Sequence, residues 1–177
     1  MSAPTISPPG RIRRPYLRWT DAVGGPVVLA AVLSLLAVLL GWHGVDQAAQ
    51  VYRVFQVRQH GLALFDSNWY GGNYPLGYSV VFPVVAAVIG LPAAAVILAV
   101  VGTWAFDRLV ADHLGRRPLG SWYFAASTLI QVAIGQLPYM AGQAFGLLAI
   151  LALTRRHTGE RGAGANRALA VICGVLS

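Results

Sequence analysis

The chain of 177 residues is 56% hydrophobic and 11% charged, with a mean hydropathy of +0.61, which leaves too little polar surface to coat a soluble globule of this size. Its net charge of +7 comes from thirteen arginines and no lysine, grouped at the ends of apolar runs rather than along one face. That is a membrane pattern and excludes a nucleic-acid-binding surface. The lone Cys173 excludes an intrachain disulfide or a CxxC redox or metal arrangement and reads as a small apolar helix residue. Arginine without lysine, with abundant Ala, Gly, Val and Leu, is what GC-rich codon usage produces and points to a bacterial source.

Residues 1–20 mix Pro4, Pro8, Pro9 and Pro15 with Arg11, Arg13, Arg14 and Arg18. Such a composition builds no core and predicts a disordered basic tail on the cytoplasmic side. The remainder, 21–177, is expected to be all-α, a polytopic transmembrane helical bundle with an external loop over 43–77. Val23 to Gly41 is nineteen residues without a charge, which as a helix rising about 1.5 Å per residue matches a hydrocarbon core of about 30 Å. It is longer than the apolar stretch of a secretory signal and no A-x-A site follows, so it is expected to be an uncleaved first span.

Val45 to His60 fits a short helix broken by Gly61. Ala48, Val51, Tyr52 and Phe55 fall on one side of it, and Asp46, Gln50 and Arg53 on another. The apolar stripe is expected in the headgroup boundary of a bilayer and the polar stripe in water.

Ser67 to Phe106 then carries no charge over forty residues. From Tyr78 the apolar part spans about 43 Å as helix, so it tilts, kinks at Gly90-Leu91-Pro92, or folds there as a hairpin. One crossing puts the tail, the connector from Arg108 to Arg117 and the connector from Arg155 to Arg167 on one side. Eleven of the thirteen arginines are then cytoplasmic, leaving Arg53 and Arg58 outside. The hairpin alternative would place Arg108, Arg116 and Arg117 outside.

The 37 uncharged residues between Arg117 and Arg155, interrupted at Gly135-Gln136-Leu137-Pro138, suit two helices joined by a tight turn. A last apolar run starts at Ala168 and reaches Ser177 after ten residues. That is too short to span, so the chain is expected to be the N-terminal part of a longer protein, cut inside a helix.

Asp46 is the sharpest candidate for chemistry. A carboxylate just outside the first span lies where a lipid-linked substrate presents its headgroup, and could act as general base on an acceptor hydroxyl. The alternative is a residue that heads the next helix as an N-cap. Asp66 is a second carboxylate, for a divalent metal ion or for orienting substrate, or else an exposed turn residue. Trp69, Tyr70, Tyr74 and Tyr78 could stack on a sugar ring or form an interfacial aromatic belt. Arg53 and Arg58 suit a phosphate or pyrophosphate, substrate or lipid. His43 and His60 lack ligand spacing, and no zinc site is expected. Gln131, Gln136 and Gln143 are expected to find partners between helices. GxxxxGK(S/T), GxGxxG, HExxH and GxSxG are all absent, and no charge falls clearly inside an apolar run, which argues against an ion-coupled transporter.

The stretch GVDQAAQVYRVFQVRQHG, followed by FDSNWYGGNYPLGYSVVFP, resembles the first external loop of the GT-C superfamily of membrane glycosyltransferases. In these a first span leads to an acidic residue, an interfacial helix and a Gly/aromatic/Pro stretch. GQLPYMAGQAFGLLAILALTRR similarly resembles later spans of actinobacterial membrane proteins of that broad kind. The resemblance covers about residues 21–177 and implies transfer of a sugar from a polyprenyl-phosphate donor to a cell-envelope acceptor. It carries the catalytic acidic residue over to Asp46, as general base, and a second acidic position to Asp66, as auxiliary carboxylate. The enzyme reading then takes the Trp69 to Tyr78 segment, with Trp69, Tyr70, Tyr74 and Tyr78, as the substrate wall and Arg53 as a further substrate-binding residue. The family often has two adjacent acidic residues where this chain has Asp46-Gln47. Membrane lipid and the lipid-linked sugar are the implied partners. The alternative is a non-catalytic polytopic membrane protein or permease in which the loop is a gate or cap.

Overall fold

The computed structural model describes residues 24–62, 79–114, 118–154, 168 and 170–174. Among these the regular structure is helical and no strand occurs. The helices are α1 (Gly25–Leu39), α2 (Gln47–His60), α3 (Val81–Ile89), α4 (Leu91–Leu114), α5 (Pro118–Ile134) and α6 (Leu137–Thr154), and residues 170–174 are helical as well. Proline opens four of them, Pro26 in α1, Pro92 in α4, Pro118 in α5 and Pro138 in α6. The first turn leaves amides unbonded and tolerates a residue without one.

Two boundaries differ from expectation. Helix α1 has 15 residues rather than nineteen and rises about 22 Å, starting after Gly24 and ending before Gly41, whose φ of +65° is not helical. Helix α4 runs on past the end of the uncharged stretch at Phe106 to Leu114, since nothing before Gly115 breaks a backbone of Leu, Val and Ala. Asp107, Arg108 and Asp112 are therefore helical rather than connector residues, and Arg108 is only 4% exposed. The uncharged segment before it divides at Gly90 into the nine-residue α3 and the 24-residue α4. About 13 Å of α3 cannot cross a bilayer, whereas about 36 Å of α4 can, so the segment holds one crossing-length helix and not a hairpin of two.

The directions follow from close contacts. Gly25 faces the Trp122 ring, and Gly24 faces the Asp107 carboxylate, where a Cβ would lie 3.4 Å from Oδ2. These join the start of α1, the end of α4 and the start of α5. At the opposite end Gly44 meets the Ala133 and Ile134 carbonyls. Hence α1 and α5 run the same way and α4 runs against them. Ala94, Ala95 and Ala99 share a core cluster with Leu137, Met140 and Ala141, and Gly102 meets Ala144, so α6 runs parallel to α4. Helices α2 and α3 pack on each other at the Gly44 end. Both Arg58 Nη2 (2.9 Å) and Nε (3.2 Å) donate to the Ala87 carbonyl, which lies in the last turn of α3 and lacks a helical partner.

Small residues fill the interior. Ala30, Ser34, Ala37, Ala94, Ala95, Ala99, Gly102, Ala105, Ala125, Ala141 and Ala144 are buried, while Leu35, Leu36, Leu39, Val88, Ile97, Ile130 and Ile150 are exposed. Close backbone approach between small side chains, with large apolar ones turned outward, is how helices associate in lipid. Left in water, such continuous apolar surface would drive aggregation. By length and composition α4 and α6 can each cross a membrane. At the α4–α6 contact a Cβ on Gly102 would sit 3.7 Å from the Ala144 Cβ, ordinary contact distance. Gly102→Ala is therefore expected to be tolerated, and Gly102→Leu to destabilise by about 1–3 kcal/mol through overpacking. The unfolding midpoint in mixed micelles distinguishes the two.

Candidate functional site at the Asp46 end of the bundle

The Asp46 backbone heads α2 in helical conformation (φ −79°, ψ −15°), and its side chain makes no capping hydrogen bond. The carboxylate is thus not engaged as the N-cap that the alternative assigned to it. The residue is half-buried, because the chain just before α2 is pressed onto the α5–α6 turn. The Asp46 amide donates to the Ile134 carbonyl at 3.2 Å, and the Gln47 amide closes a local turn on the Gly44 carbonyl at 3.0 Å.

Two glycines make that approach possible. At Gly44 a side chain would strike the Ala133 and Ile134 carbonyls. Gly135 has φ +92°, and a Cβ there would lie 2.6 Å from the Gln47 nitrogen and 3.1 Å from the Asp46 carbonyl carbon. Only glycine combines a left-handed backbone with that closeness. The turn itself is tied by the Gly135 and Gln136 amides, both donating to the Gln131 carbonyl at 3.0 Å.

By the helical period Asp46, Gln50 and Arg53 share one side of α2, with Arg53 about 10 Å along the axis from Asp46. That side does not face water as expected. Gln50 is 2% and Val54 6% exposed, and Arg53 is half-buried, because the Gln50–Val54 edge packs inward. The apolar residues Val51 and Phe55 are left uncovered at 52% and 54% exposure. Of the glutamines, Gln136 is exposed and Gln143 half-buried; the Gln131 Oε1 is buried without a hydrogen-bond partner among the described residues.

Asp66, Trp69, Tyr70, Tyr74 and Tyr78, and the tail over 1–20, lie outside the described residues. Of the expected site residues the structure therefore describes Asp46 and Arg53. No group of three His, Cys, Asp or Glu side chains capable of holding a metal ion occurs among the described residues. One carboxylate offers too few donors for a divalent cation, so the described part of the site does not by itself fit one. What it can supply is a single proton acceptor at the start of α2, with a cationic side chain on the same side of that helix two turns on. Gly44, Ile134 and Gly135 were not legible as site residues, although Gly135 in IGQLP marked a chain break. No protein-family model, no curated protein and no solved structure matches the chain.

Proposed function

We propose that this is a multi-pass helical protein of the bacterial cell membrane with its N-terminus in the cytoplasm, and that it forms part of a GT-C-like glycosyltransferase. It moves a sugar from a polyprenyl-phosphate donor to a cell-envelope acceptor. The membrane reading is supported by the small-residue interior with large apolar side chains outside, and by the lengths of α4 and α6. Taking α1 and α5 as spans that run against α4 and α6 puts the start of α1, Arg108 and the end of α6 at one end and Asp46 at the other.

The observation that carries the catalytic reading is Asp46 itself, a half-buried carboxylate with no capping hydrogen bond, heading α2 against the α5–α6 turn. Here Asp46 removes the proton from an acceptor hydroxyl while its oxygen attacks the anomeric carbon. The sugar-to-phosphate C–O bond breaks, and its electron pair leaves with the polyprenyl phosphate. Arg53, on the same side of α2, faces the departing phosphate charge, and Asp66 with Trp69, Tyr70, Tyr74 and Tyr78 would complete the wall.

A permease or non-catalytic membrane protein is the second reading. It is favoured by the seating of Asp46 on the α5–α6 turn through its backbone amide, which needs no carboxylate. The full-length protein in membranes, supplied with radiolabelled polyprenyl-phosphate sugars, decides between them. Label passing into envelope polymer supports the transferase, and its absence from folded, abundant protein supports the second reading.

A further inference from the structure

We infer that the α5–α6 turn is the seat that sets the position of the Asp46 carboxylate, which makes Ile134 and Gly135 positioning residues for it. This rests on the catalytic reading of Asp46. The contact is backbone against backbone on both sides. The Asp46 amide bonds to the Ile134 carbonyl at 3.2 Å, Gly44 abuts the Ala133 and Ile134 carbonyls, and Gly135 abuts Gln47 and the Asp46 carbonyl carbon. The atoms that a Cβ at either glycine would meet first are backbone atoms of the other segment.

The first bonds of α2, Gln47 amide to Gly44 carbonyl (3.0 Å) and Gln50 amide to Asp46 carbonyl (3.4 Å), extend this constraint into the helix. Asp46 and the α2 backbone that carries Arg53 are thereby referenced to one turn. Helix α6 begins at that turn and packs along α4. A shift of the α5–α6 pair against α1 therefore moves the carboxylate, so the later helices govern a site carried by the first external loop.

The test uses the full-length protein in membranes with a polyprenyl-phosphate sugar donor. Because a misplacement of about 1 Å costs on the order of 10²-fold in rate, Gly135→Ala should lower kcat by about that factor. Donor KM should stay within about two-fold. An unchanged kcat, or a rise in KM alone, overturns the inference.

Since alanine at this turn can also disturb folding, a second measurement leaves Gly135 in place. Gln47→Cys and Gln136→Cys in a Cys173→Ser background are bridged with a short bis-maleimide, with the mono-maleimide adducts as controls. High bridging yield with transfer matching those controls supports a fixed seat. Failure to bridge, or bridging that abolishes transfer, overturns it. A wild-type protein that transfers no sugar removes the catalytic reading and with it the positioning role, while the bridging yield still reports whether the joint exists.

Discussion

Asp46→Asn is expected to slow sugar transfer by about 10²- to 10⁴-fold, the range that a positioned general base contributes, with little change in donor KM. Asparagine keeps the size of the side chain but cannot take up the acceptor's proton. The fold should survive the change, because the contact that seats this residue runs through its amide to the Ile134 carbonyl, and the side chain makes no capping bond. Single-turnover assays at saturating donor, with protein amount and helicity matched, separate loss of chemistry from loss of protein. Full activity in the variant would assign Asp46 to structure rather than catalysis.

Gly135→Val is expected to be the most destabilising single change at this end of the bundle. At φ +92° a β-branched residue incurs backbone strain of about 1–3 kcal/mol. Its Cβ would also sit 2.6 Å from the Gln47 nitrogen, so the start of α2 must move away. Gly61→Val is the matched control. Gly61 has φ +76° with nothing within 4 Å of a Cβ among the described residues, so it reports strain without collision. Detergent-unfolding midpoints should fall for both and fall further for Gly135→Val, the difference measuring the joint. Equal losses would mean that the two segments do not press on each other.

Local punctuation made several elements legible. Gly61 ends α2 after His60, and Gly135 to Pro138 divides α5 from α6, both where glycine and proline implied a break. The end of α4 was misjudged because charge is a signal about solvent, whereas a helix stops where its backbone is interrupted. Asp107, Arg108 and Asp112 interrupt nothing, and burial of Arg108 depends on neighbours that hydropathy does not name. The same gap explains α2. Its helical period sorts Gln50 from Val51, but which side packs inward depends on α3 and the α5–α6 turn, which are distant in sequence. The contacts of Gly44 with the Ala133 and Ile134 carbonyls and of Gly135 with Asp46 and Gln47 are of that kind too, since only the fold brings these distant segments together. The position of Asp46 after the first apolar run was legible, whereas the Ile134 carbonyl that its amide meets was not.

The central claim is that the Asp46 end and the Arg108 end of the bundle lie on opposite sides of a membrane. Single cysteines in a Cys173→Ser background test it, at Val45, which is 87% exposed beside Asp46, and at His113, exposed in the last turn of α4. In intact cells a membrane-impermeant maleimide should label Val45→Cys, and His113→Cys only after permeabilisation. Equal labelling of both positions in intact cells, or recovery of the protein in the soluble fraction, would contradict the account.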